Sequence, residues 1–346
     1  MEFIHAFLDE KRNSSDDEAD LVVAEFFKSD KARYIYEIVS KPLNVLREFE
    51  SNDPQINDFL YKKPVFPSWL DREQLKRASD FYVSYALEIM MLLGAVSLPT
   101  CYAAFPGNKV LYISEKIRKK PGKRLLETAS FVITVSEPGA FDEHGNGYVA
   151  VQQVRLIHAI ARYHILKSGN WDKFWGLPVN EEDILGTNLA FSYTVLKALK
   201  DSGFNLNGND LNAYLHLWKW VGYLMKINES LLTDRMYEAS QIDQIIRKRN
   251  FKKTKEGIAL TRSLISHYRE ALPSRLGTLV ESQIKYFVGK EVADMLELRS
   301  NALHDMIIKS MAFFQEFKNY WIPHQPSYQK MKKDHERLKD LYQEKV

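Results

Sequence analysis

The sequence predicts an all-α fold, a single large helical domain, and three features predict it. Apolar residues recur mostly at spacings of three and four, and strict alternation is scarce. Gly and Pro are few, 15 and 12 in 346 residues, as long helices joined by short turns require. At 45% hydrophobic and 27% charged, the composition is that of a globular chain with a sizeable core, not of a disordered or collagen-like one.

Taken in order, residues 1–65 read as an N-terminal helical extension, with Asp16 to Glu18 as an acidic surface patch. SNDPQIND (51–58) and KKPVFPSW (62–69) are Pro- and Asx-rich and read as linkers to a main domain over 66–320. Asp71 or Ser79 would cap the first helices of that domain. Phe81 to Phe105 is 25 residues with one charge, Glu88, long enough to cross a bilayer. Glu88, Gly94, Pro99 and several Ser and Tyr favour instead a buried core helix that breaks near Pro99. PGKR (121–124) opens a helix with Pro121 in its first turn. FVITVS (131–136) has strand propensity but continues the apolar face of the preceding turn, so it reads as helix.

EPGAFDEHGNG (137–147) is a loop, and 148–169 is a helix with a Gly stop. The stretches 181–201 and 210–226 are helices that Asn180 and Asn209 would cap. FKKTKEG (251–257) is a basic loop, and three helical segments come after it, the first ending before Pro273. The charged tail, 321–346, reads from Tyr328 onward as a solvated helix or frayed end.

Several function classes are disfavoured at once. Lys+Arg 48 against Asp+Glu 45 leaves +3, which lacks the basic excess of a nucleic-acid binder. One cysteine, Cys101, excludes an intrachain disulfide and any multi-cysteine metal site. The start, MEFIHAFLDEKRN, has no basic stretch followed by an apolar one, so a cytoplasmic location is expected, with peripheral membrane contact compatible and no transmembrane span. P-loop, HExxH, GxSxG and GxGxxG patterns are missing. His5, His324 and His335 read as exposed, and His164, His216, His267 and His304 as helix-boundary residues.

The helix around QVRLIHAIARYHI is different. At 100° per residue Val154, Ile157, Ala161 and Ile165 form a narrow apolar stripe, Arg155 and Arg162 lie on its flank, and His158 falls between. An imidazole against an apolar wall with nearby guanidiniums suits a flat apolar ligand with anionic edges, of which haem is one. A core histidine with two surface arginines meets the same pattern.

Five blocks in order resemble those of the latex clearing protein (rubber oxygenase) family, which also contains the membrane-bound oxygenase of mycophenolic acid biosynthesis. RLLET (124–128) looks like its Arg-x-x-x-Thr motif, and His144 matches a lone loop histidine. RLIHAIARYH (155–164) resembles its haem-ligand helix, with His158 34 positions after Arg124. PVNEEDILGTNLAFSYTVL (178–196) and YLHLWKWVGYLMKI (214–227) are similar to the Pro-x-Asn-x-Glu-Asp block and the Trp-containing helix after it. The likeness covers about residues 66 to 320.

The resemblance implies a globin-like core carrying haem b and its iron, and O2-dependent cleavage of isoprenoid double bonds. It makes His158 the iron ligand, Arg155 and Arg162 the arginines that hold the haem and its propionates, and His144 a neighbour of the haem edge. Arg124 and Thr128 become a distal pair facing O2 or substrate. Glu127 stands where some rubber oxygenases have lysine; as an acid it would serve as a base toward an allylic proton, or it is simply a solvated helix residue. The missing export signal favours a smaller apolar, unsaturated lipid or isoprenoid over polymeric rubber. The alternative is a haem-binding protein used for sensing or storage, without turnover. The sequence leaves the oligomeric state open.

Overall fold

Asx side chains start many of the helices. Asp16, Asp53, Asp71, Asn180 and Asn207 each accept a backbone N–H of the helical turn they precede, satisfying a donor that would otherwise be orphaned. A computed structural model describes residues 2–299, apart from 30, 44, 45, 47, 48, 50, 63 and 115–120, together with 328–343. His304 and His324 lie outside the described residues.

The N-terminal helices are α1 (Glu2–Lys11), α2 (Asp17–Lys28), α3 (Ala32–Ser40) and α4 (Pro54–Tyr61). The main body begins with α5 (Arg72–Leu92), a π-helical turn (Leu93–Ser97), α6 (Leu98–Ala103), α7 (Gly107–Ile113), α8 (Pro121–Ser136) and α9 (Gly147–Lys167). It continues with α10 (Glu181–Phe191), α11 (Tyr193–Asp201), α12 (Gly208–Leu224), α13 (Met236–Asn250), α14 (Lys255–Ala271), α15 (Ser274–Gly277) and α16 (Val280–Met295). Last comes α17 (Tyr328–Gln343). Among the described residues there is no strand, only an isolated bridge between Ala104 and Phe251. The fold is all-α, as the sequence predicts.

The core lies between α5 and α12, the most extensive helix pair, where Tyr82, Tyr214 and Trp220 are fully buried. A second apolar cluster joins α2, α3 and α4 to Val149, Leu156, Ala159 and Ile160 of α9. The N-terminal helices are therefore seated on the back of α9.

Several local expectations change. SNDPQIND is not a linker, because Asp53 caps α4 and Pro54 occupies its first turn. Ser79 lies inside α5, its hydroxyl donating to the Glu137 carbonyl, and Asp71 is the cap. The cap of α12 is Asn207, not Asn209. The expected helix 181–201 is two, parted at Ser192 (φ −108°, ψ −85°). The apolar run does not break at Pro99. It widens into the π turn just before, a local rewinding that accommodates the missing Pro N–H, and runs on to Ala103. By length and composition Arg72–Ala103 could cross a bilayer, but 61% of its most apolar window is buried inside the fold. The tail from Tyr328 is a docked helix, not a solvated one: Tyr328 and Lys332 reach Glu137, and His335 meets Ser130 of α8 at 2.8 Å.

Candidate active site

Helices α8 and α9 pack side by side, joined by the loop 137–146, and bring together part of the expected constellation. On α9, Leu156, Ala159 and Ile160 are buried against the N-terminal helices. Val154, Ile157 and Ala161, three of the four stripe residues, keep accessible surface, as does His158. This face of an interior helix is therefore incompletely packed.

His158 Nδ1 is sealed from solvent and has no hydrogen-bond partner. Burial pushes the imidazole pKa down to about 3, and the charges of Arg162 and Arg124 push the same way. The ring is neutral at any physiological pH, which is the form that binds a metal. Arg124, on α8, is felt at His158 and also at the buried phenol of Tyr102, whose pKa it lowers against the rise from burial. Its guanidinium meets Glu127 at 3.2 Å, and Thr128 Oγ1 donates to the Arg124 carbonyl at 3.0 Å. Arg124 and Thr128 therefore sit one turn apart, as expected, while Glu127 is exposed and engaged with Arg124. His144 is exposed in the loop.

Arg155 and Arg162 are found on the side of α9 that meets α2. These residues are only 3% and 2% exposed, and both side chains face α2. Arg155 holds Asp16 through Nε at 2.5 Å and Nη2 at 2.8 Å, and Glu18 at 2.8 Å. Arg162 Nε contacts both Asp20 oxygens at 2.9 Å, and its Nη1 donates to the Pro178 and Val179 carbonyls. The Arg155 guanidinium is therefore paired with carboxylates, whereas Arg162 keeps one buried donor, Nη2, without a hydrogen-bond partner. The expected acidic surface patch is the partner of Arg155: Asp16 is buried, and Glu18, its pKa pulled down to about 2, lies between Arg155 and Lys226. The sequence held no signal for this pairing, whose members are 139 and 142 positions apart.

Other histidines are structural. His216 is buried, accepts the Asp71 N–H at Nε2 and pairs with Asp234 at 3.2 Å. His5 and His335, expected to be exposed, are half-buried against Arg249 and Ser130. Glu182 of the Pro-x-Asn-x-Glu-Asp block is fully buried and ties Arg12 (2.8 Å) to Arg249 (2.7 Å).

Among the described residues no three His, Cys, Asp or Glu are grouped to hold a bare metal ion. A lone neutral imidazole with an orphaned nitrogen, on an apolar face, would suit an iron that brings its other ligands in a macrocycle. The residues present fit a haem.

The family model described as ER-bound oxygenase mpaB/B'/Rubber oxygenase, catalytic domain, matches residues 76–316. A rubber oxygenase of Streptomyces sp. (strain K30) is 24% identical over 272 residues, 78% of this chain and 67% of that protein. The solved latex clearing protein in its closed state superposes with a TM-score of 0.72 at 21% identity, covering 92% of this chain and 86% of that one. The chain belongs to the mpaB/rubber oxygenase catalytic-domain family and is an oxygenase.

Proposed function

We propose that this oxygenase depends on haem b and adds O2 across a carbon–carbon double bond of an apolar lipid or isoprenoid. The observation that carries the reading is His158: neutral, orphaned at Nδ1, and set in an apolar face within the field of Arg124. Cleavage of one double bond by one O2 gives two carbonyls, which balances without another reductant. Haem, when bound, supplies the iron at which O2 is activated.

The chain's own residues do the rest. His158 offers a nitrogen that stays unprotonated, because burial opposes its charge. The stripe Val154, Ile157 and Ala161 gives a wall without polar groups, suited to macrocycle and substrate alike. Arg124, steadied by Glu127, presents N–H donors where negative charge develops on oxygen. Thr128 donates to the Arg124 carbonyl, so its oxygen retains lone pairs to accept a proton-bearing group. Glu127, exposed and paired, orients Arg124 in this reading rather than removing a proton.

Incubating the reduced, haem-loaded protein with O2 and a panel of terpenoids and unsaturated fatty acids, then searching for aldehydes and ketones by mass spectrometry, is the test. Arg124→Ala and Thr128→Ala should retain haem and lose most product, on the order of 10²-fold for a donor at a developing oxyanion. Haem without carbonyl products from any substrate would leave the sensor or storage reading. Products from rubber particles alone would overturn the choice of small substrates.

A further inference from the structure

The end of α9 that carries Ile165 leads to an unusual surface. Phe174 is 97% exposed, the most exposed large apolar side chain described. It projects from a short 3-10 turn, Lys173–Trp175, that is firmly held. Asp172 accepts the Phe174 N–H at 3.0 Å, and Trp171 Nε1 donates to the Gly176 carbonyl at 2.8 Å. Gly176, at φ +77°, lies so close to the Arg12 carbonyl that a Cβ would overlap it. The exposure of Phe174 is therefore built in, not the slack of a loose loop.

Beneath it, Trp175 meets Trp171 and Phe105 edge to face, each at 5.2 Å. Lysines surround these rings. Lys109 lies 4.3 Å over Trp175 and Lys252 3.8 Å over Phe105, while Lys173 precedes Phe174 in the turn. Glu256 pairs with Lys109 at 3.7 Å, and the exposed Asp172, which caps the turn, keeps its charge beside Lys173, so Lys252 and Lys173 are the cations the patch offers outward. Trp171 is buried and supports the patch from within, while the apolar tip of Phe174, the half-buried Trp175 and lysines with long stems are the composition of a membrane-interface anchor.

Ile165 packs with Val110 and Trp171 at the base of this patch. It also ends the α9 stripe seven residues beyond His158, about 10 Å along the axis at 1.5 Å per residue. We propose that this surface docks the protein peripherally on an anionic lipid bilayer, with Phe174 entering the acyl boundary and Lys173 and Lys252 meeting headgroups. Docking there sets the apolar face of α9 beside the phase in which an apolar substrate dissolves. The docking itself does not require the haem reading, since no residue of the patch is placed in the haem site.

Co-sedimentation of the full chain with vesicles tests it, using phosphatidylcholine alone and phosphatidylcholine mixed with phosphatidylserine. The mixed vesicles should bind the protein, and salt should weaken the binding. Phe174→Asp should lower the bound fraction about tenfold or more, from the loss of one buried aromatic ring. Its melting temperature should not move, because the ring stands free of the core. Lys173→Glu combined with Lys252→Glu should abolish the preference for the anionic vesicles. A wild-type chain that ignores both vesicles, or a Phe174→Asp variant that binds as well, would overturn the proposal. So would a Phe174-dependent dimer in size exclusion without vesicle binding, which would assign the patch to a second copy. Haem content, read separately in each sample, keeps failure of docking distinct from failure of the cofactor reading.

Discussion

At the scale of single residues, charge placement is what separates the two roles on α9. His158 is kept neutral by burial and by the guanidiniums of Arg162 and Arg124. The unfolded chain takes a proton on this ring below about 6.5, whereas the folded one refuses it until about 3. Between those values the unfolded state binds more protons, so this group lowers stability as pH falls. His158→Leu removes that penalty, and its melting temperature relative to wild type should rise progressively from pH 7 to pH 4.5. A constant difference across that range would contradict the burial of the imidazole. Arg155 makes the opposite case, since its loss leaves Asp16 buried and unpaired. Arg155→Ala should cost about 3–5 kcal/mol in chemical denaturation, and Arg155→Ala with Asp16→Ala together clearly less than the sum of the single changes. Additive costs would show that the pair is not coupled. The sequence revealed the face on which these arginines lie, because helical period is local. It could not reveal their partners, which approach from α2 by way of tertiary packing.

Among elements, the reading of FVITVS as helix holds because its β-branched residues complete the buried side of α8, and packing outweighs propensity. Caps were legible at Asp71 and Asn180, where an Asx precedes a periodic run. The π turn was not, since nothing in LGAVS announces an inserted residue. Gly94 within it carries a tertiary reason: a Cβ there would overlap Tyr268 Oη of α14. Gly94→Ala should therefore destabilise by about 1–3 kcal/mol, as overpacking does, and Tyr268→Phe in that background should restore part of the loss. If Gly94→Ala melts like wild type, the close approach of α14 to the π turn is wrong. The tail helix α17 reads as solvated in sequence because charge dominates its composition, yet Tyr328, Lys332 and His335 lie on one face and bind α8 and α5.

Over the whole molecule, the chain keeps its relatives' fold at 21% identity because the helix faces, more than particular residues, define the packing. The N-terminal helices are an integral wall of that fold: they seal one side of α9 with apolar residues and neutralise its arginines with carboxylates. What remains open on α9 is the face with His158. Absorption spectroscopy of the purified chain, supplied with hemin and assayed by pyridine haemochrome, measures what that face holds. About one b-type haem per chain is expected, with His158→Ala losing it or shifting its Soret band. A chain that takes up no haem, or a His158→Ala variant with the haem content and spectrum of wild type, would contradict the assignment of His158 as the iron ligand.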